Sequence, residues 1–340
     1  MKVIRGVILV GLMFVTCLVN AQDDVRGPIA NPAPGVLDGI YVKEHIPTKK
    51  VIPYEFVREA DVTWSKRVWR VIDLREKFNH PLYYPLDKVD ADFGIWFKNT
   101  TRWSLWTIIR YHIMTGDLTL YSPYHPEAYY VNDGDQFKYP ITSEITGGTY
   151  YNDPLFKNRL IEYMGYLGAE DDTPLTDDNG DPIEITDPVT GELTYKYPPR
   201  DTFYWESKDI IQYKLKEDWF FDKERSVLDV RIIGLAPMKY IRENNDPTGA
   251  ITGTKEMFWL YFPECRYVFQ NFFVQARNND SQRMSFDDLF WKRMFQSYIE
   301  KESNIYDREI DTYKSGVSAL LESEKIKEKI FIFEHDLWSF

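Results

Sequence analysis

Between Asp61 and Pro85 the apolar positions Trp64, Val68, Val71, Ile72 and Phe78 recur mainly at three- and four-residue intervals. That is the period of an amphipathic helix, and Asn79-His80-Pro81 supplies a stop signal. The pattern predicts a helix of about four turns. Two residues break it. Arg75 lies eleven positions after Trp64, which at ~100° per residue sets it within about 20° of that indole, inside the apolar stripe. Such an arginine either takes a carboxylate partner or lays its stem over the core and sends its head to water. Trp69 falls roughly 140° from Trp64, among Lys66, Asp73, Glu76 and Lys77 on the polar side. An indole there needs a cover, from another part of the chain or from a partner protein. Trp69, with Lys66, Arg70 and Glu76 around it, is therefore the candidate partner-binding group. Trp64 and Arg75 are the structural residues of the same element.

Further along, Thr101 is a candidate N-cap for a second helix carrying Trp103, Trp106, Ile109 and Ile113, with Gly116 at its end. Leu118 to Tyr121 reads as a short strand, and Asp153 to Leu167 as a helix ending at Gly168. Ile183 to Ile185 and Leu193 to Tyr197, joined by a turn at Asp187 to Gly191, read as a protruding hairpin with acidic shoulders. Leu228, Val230 and Ile232 alternate with Asp229 and Arg231, the mark of a strand with one buried face, and Met257 to Phe262 is an aromatic-rich second strand. Ser285 with Asp288 is a capping-box variant opening a helix that the apolar positions carry to about Glu302. Ser315 to about Glu334, rich in Glu/Lys pairs, is a last helix. Helices and hairpins without βαβ rhythm make the fold class α+β, mixed helices and antiparallel hairpins around an aromatic-rich core.

The ends refine the domain plan. Met1 to Ala21 has Lys2 and Arg5, an apolar run from Val7 to Val19 and a small-residue ending, the features of a secretory signal peptide cut before Gln22. The run is short for a membrane span, and Phe14-Val15-Thr16 before Cys17 is a poor lipid-attachment context. Residues 22–60, with prolines at 28, 32, 34, 47 and 53, form an extended arm without an apolar period. Residues 61–340 are the globular region, with possible lobes at 61–169 and 198–340 around an acidic hairpin insertion at 170–197. Loss of Cys17 with the signal peptide leaves Cys265, so no disulfide forms within the mature chain. The formal net charge of −12 becomes −14 without Lys2 and Arg5, a poor surface for nucleic acid or anionic membrane.

No catalytic, cofactor or metal site is legible. The five histidines, at 45, 80, 112, 125 and 335, are never three or four residues apart, so no helical zinc pair exists. Gly249 to Lys255 lacks the spacing of a phosphate loop and reads as a solvated turn. Asp177-Asp178-Asn179-Gly180-Asp181 resembles a calcium loop, but Leu175 and Thr186 occupy its first and twelfth ligand positions. Cys265 reads as a buried apolar residue. A glycosidase-like groove needs only two carboxylates across an aromatic cleft, which keeps a periplasmic carbohydrate-active enzyme or glycan-binding protein as the alternative function.

The stretches W-S-K-R-V-W-R-V-I-D-L-R-E-K-F-N-H-P-L-Y-Y-P at 64–85 and K-E-D-W-F-F-D-K-E-R-S-V-L-D-V-R-I-I-G-L-A-P at 216–237 closely resemble the GldN/PorN family of the type IX secretion system. The resemblance runs over essentially the whole mature chain, apart from the acidic hairpin. It implies a non-enzymatic periplasmic component that joins an outer-membrane lipoprotein, GldK (PorK-like), in a hetero-oligomeric ring. It also implies contact with the periplasmic part of the motor protein GldM (PorM-like), no direct membrane insertion and no catalytic residues to carry over.

Overall fold

The computed structural model describes residues 40, 50–89, 95–168, 173–176, 182–186, 193–198, 200–242, 250–276, 279 and 281–337. The expected signal peptide, most of the expected arm and the calcium-like run at 177–181 lie outside them.

One antiparallel sheet organises the chain. Its strands, in chain order, are β1 (Val62–Asp73), β2 (Leu120–Tyr121), β3 (Pro140–Ile141), β4 (Ile210–Asp222), β5 (Val227–Arg242), β6 (Ile251–Glu256), β7 (Trp259–Tyr261) and β8 (Tyr298–Glu302). Their spatial order is β8-β1-β4-β5-β7-β2-β3, with β6 also paired to β5. Strands from both sides of the acidic hairpin therefore share one sheet. The helices are α1 (His80–Tyr83), α2 (Leu105–Thr115), α3 (Pro154–Met164), α4 (Phe262–Phe269), α5 (Phe286–Trp291) and α6 (Val317–Asp336). The α+β class stands.

The predicted helix at 61–85 is corrected: Val62–Asp73 is a strand. Five of its twelve residues are β-branched and two are tryptophan, side chains that pack well on a pleated surface. The spacing of four between Trp64, Val68 and Ile72 is even, so it fits a period of two as well as a helix. Burial alternates along the first half and is complete over Val68–Asp73, where both faces are covered. That double burial is why Val71 and Ile72 are adjacent and both apolar.

Elsewhere the differences are local. Helix α2 ends at Gly116 as expected, but its cap is Ser104, whose hydroxyl accepts from the Thr107 amide at 3.3 Å, rather than Thr101. Asp153 caps α3, which stops at Met164 because Gly165–Leu167 pairs as a strand with Thr202–Tyr204. Gly165 is required there, since a Cβ would sit 2.3 Å from the Phe203 carbonyl oxygen. The capping box of Ser285 and Asp288 forms with both hydrogen bonds, yet α5 ends at Trp291 instead of running to Glu302. Arg293 at φ 53° turns the chain, and Tyr298–Glu302 adds to the free edge of β1. The hairpin is present as Glu184–Thr186 against Leu193–Tyr195. The turn expected over Gly249 to Lys255 is corrected for its described part, because Ile251–Glu256 is strand β6, while Gly249 lies outside the described residues.

The main core lies on one face of the sheet, where Ile72, Tyr213, Leu215, Ile232 and Leu260 meet Trp106 and Ile109 of α2, Leu160 of α3 and the phenylalanines of α4 and α5. Cys265 of α4 is buried here, and burial pushes its thiol well above the usual range. A smaller cluster joins Val68 and Ile299 to Ile326 and Ile330 of α6, with Trp64 stacked on Phe333 at 4.4 Å. Beneath it the Glu217 carboxylate, fully buried, accepts from Arg293 Nη2 at 2.9 and 3.0 Å and from Trp219 Nε1 at 3.1 Å.

Candidate functional site

The opposite face of the sheet carries a cleft of about 670 Å³. Strand alternation builds it. Trp69 of β1 is paired with Lys216 of β4 and Lys301 of β8, Val71 with Lys214, and Arg67 with Asp218, so three lysines, an arginine and an indole lie side by side. Trp259 of β7 and Glu256 of β6 extend this floor, residues 132–137 form one wall, and Asp307 and Glu309 stand at the rim. Gly234 of β5 is required at its place: a Cβ would lie 2.8 Å from the Phe137 ring and 3.1 Å from that of Trp259. Phe137 holds φ 57°, a costly conformation outside glycine, and its ring covers Gly234.

Electrostatics dominate the floor. Lys214 Nζ meets Glu256 Oε1 at 2.8 Å, Glu300 Oε2 at 2.5 Å and Glu309 Oε1 at 3.2 Å, with the lysine side chain 6% exposed. Burial disfavours its charge, but the three carboxylates outweigh burial and hold its pKa far above the ordinary lysine value. Glu300 is pushed up by burial, which Lys214 only partly offsets. Lys216 donates to the Asp135 carbonyl and sits 3.2 Å from that residue's carboxylate, yet burial wins and its pKa falls. Trp69 Nε1 donates to Asp135 at 3.2 Å and Trp259 Nε1 to Glu256 at 2.8 Å. Lys301 lies 4.7 Å above the Trp69 ring and pairs with Asp307 at 2.7 Å. Arg67 forks onto Asp218 at 2.6 and 2.7 Å.

All four cations are thus ion-paired, and the indole donors are engaged. This arrangement fixes strands and loops to one another and offers charged rim groups to a macromolecule: Asp307, Glu309 and Arg67 are 80, 44 and 44% exposed at the side chain. Among the described residues no cluster of three His, Cys, Asp or Glu residues is placed to hold a metal ion.

The residues singled out in the sequence are dispersed. Trp69 as an exposed anchor is corrected, because its indole is 7% exposed and covered by its own chain through Asp135, Lys216, Lys301 and Trp259. Lys66 and Arg70 project to the other face, Lys66 onto the Ser303 carbonyl at 2.8 Å and Arg70 onto the Ser297 hydroxyl at 3.0 Å. Glu76 lies in the turn after β1, its pKa raised by burial and by Asp73. Arg75 is corrected from core to surface. It has a carboxylate partner, Asp73 two residues earlier at 2.5 Å, but its side chain is 67% exposed. Arg75→Ala is therefore expected to cost about 1 kcal/mol or less in urea unfolding, as for other exposed pairs.

The cleft lysines and glutamates were not found from sequence. Their signal is the alternation I-Q-Y-K-L-K-E, which sets Gln212, Lys214 and Lys216 on one face of a strand, but the partners at 256, 300 and 309 lie far along the chain.

The outer surface of α6 is the other feature suited to assembly. Only Ser323, Ile326 and Ile330 of this helix are buried. Val317, Leu320, Leu321, Phe331 and Ile332 point away from the sheet and are 46–74% exposed. No helix among the described residues is long and apolar enough to cross a membrane.

The motifs at 64–85 and 216–237 meet in the sheet that carries the cleft. The first supplies β1 and the second supplies the end of β4 and the start of β5, and Trp64, Ser65, Lys66 and Trp69 pair directly with Phe221, Phe220, Trp219 and Lys216. The two signatures are one structural unit, the centre of the sheet. No curated protein matches the chain. Residues 57–339 match the family described as gliding motility associated protein GldN, and the chain belongs to that family.

Proposed function

We propose that this chain is a structural, non-enzymatic component of the type IX secretion and gliding machinery, working in the periplasm. In this reading it forms a ring with a GldK-like lipoprotein on the inner face of the outer membrane and passes force from a GldM-like motor protein. Family membership supports the machinery, and the exposed apolar side chains of α6 support an assembly role. Val317, Leu320 and Leu321 near its start and Phe331 and Ile332 near its end form two exposed apolar groups on one helix face, and exposed apolar groups rimmed by charge mark interaction surfaces. A glycan-binding reading draws no support from the cleft, since its indoles Trp69 and Trp259 are 7 and 1% exposed and offer no stacking platform.

The test is a double substitution, Leu320→Glu with Leu321→Glu. Both side chains are more than half exposed, so circular dichroism and melting temperature should stay near wild type. Binding to the lipoprotein should fall about thirtyfold or more, the usual loss for an interface anchor. Undiminished co-purification would remove α6 from the interface.

A further inference from the structure

Residues 50–58 have neither helix nor strand, yet they cross the body at a defined place. The Tyr54 ring stacks on Trp291, centroids 5.5 Å apart and planes at 24°, and lies against the guanidinium groups of Arg266 at 4.4 Å and Arg231 at 5.2 Å. Arg266 Nη2 donates to the Ile52 carbonyl at 2.8 Å, and Arg231 Nη2 donates to the Glu55 carbonyl. Arg225 pairs with the Glu55 carboxylate at 2.7 Å.

The body positions two of these arginines without help from the strap. Arg266, 3% exposed, is fixed by Asp287 at 2.8 Å, and Arg225 by Asp222 at 2.7 Å. The Arg266 part of the slot is thus preorganised, and a preorganised receptor binds at a lower entropic cost. What it reads is a peptide: an aromatic ring, the carbonyls two residues before it and one after, and an acid directly after the ring. None of these contacts depends on the covalent link to β1. Six residues, 56–61, separate Glu55 from the start of that strand. The neighbours of the ring are left bare, Ile52 at 61% and Phe56 at 89% exposure. Docking within one chain therefore covers the ring only in part and leaves two apolar flanks for a second surface.

We propose that the slot formed by Arg231, Arg266 and Trp291 is a recognition site for an extended Tyr-Glu segment, and that it takes residues 52–55 of a second copy of this chain when copies pack together. The contacts are the same in either arrangement, so exchange costs only the difference in linker entropy and gains cover for Ile52 and Phe56. The inference does not depend on which other proteins the chain assembles with.

The test uses full-length chains carrying Cys17→Ser; Cys265 is 1% exposed and does not compete for reagent. One chain carries Glu55→Cys and the other Arg225→Cys, an ion pair at the surface whose loss leaves Tyr54 and the carbonyl anchors in place. The two are mixed at high concentration, unfolded in urea, refolded together and treated with a short bis-maleimide. Covalent dimers containing one chain of each kind, several-fold above either chain alone and reduced to background by adding Tyr54→Ala, are the expected result. A mixture that stays monomeric, while a chain with both cysteines bridges internally at every concentration, would overturn the proposal.

Discussion

Lys214→Met is expected to destabilise the fold by about 3–5 kcal/mol at neutral pH, the usual cost of removing one partner of a buried ion pair. The ammonium is the shared counter-charge of Glu256, Glu300 and Glu309, whose side chains are 8, 15 and 44% exposed. Glu309 can turn to water, so the penalty falls on Glu256 and Glu300. The sign of the pH dependence follows from the shifts. The raised pKa of Lys214 means its contribution is fully present below the ordinary lysine value and is lost only as pH rises through the folded value, so wild type is insensitive to this group near neutrality. Glu300 is raised by burial, so its charged form costs stability above its folded pKa, and stability is regained as pH falls through it. Without Lys214 that folded value rises further. The variant's urea midpoint should therefore increase from pH 7 to pH 5 relative to wild type, and Glu300→Gln added to Lys214→Met should recover part of the loss. A variant with the wild-type midpoint at both pH values would show the cluster to be solvated.

Such a node explains the limits of the sequence reading. Local signals were legible because their causes are local: the Ser285/Asp288 box, Gly116 after α2, the acidic hairpin and α6 all depend on residues within a few positions. The opening strand was not, because spacings of four fit both periods and only a second covered face separates them. That face is supplied by Lys214, Lys216 and the wall at 132–137, residues remote from β1 in sequence. The end of α5 failed likewise, since Tyr298–Glu302 becomes a strand through pairing with Val68–Val71, more than 220 residues earlier. The same distance hid the cleft: Lys214 is unremarkable until Glu256, Glu300 and Glu309 are brought to it. Family resemblance carried further than periodicity, because its two motifs are the two halves of the central strand pairing.

Trp69→Ala is expected to cost about 3–5 kcal/mol of folding stability, the range for truncating a large buried aromatic. The indole packs with Ala236 and Trp259, and its loss opens a cavity under the wall at 132–137. It also removes the donor to Asp135, the residue whose carbonyl and carboxylate hold the buried Lys216. Lys301 loses the ring beneath its ammonium. Against a total stability of roughly 5–15 kcal/mol, such a loss leaves the variant partly unfolded on mild warming. Trp69→Phe separates the two contributions: it keeps much of the packing and deletes the hydrogen bond, so about 1–2 kcal/mol is expected. Urea midpoints and near-ultraviolet circular dichroism decide between an internal indole and an interface anchor. An alanine variant with the wild-type midpoint that fails to bind a partner would restore the anchor. If instead the midpoint falls, any assembly defect of that variant has to be measured on its folded fraction, because loss of the β1 floor alone would lower binding by depleting the native state.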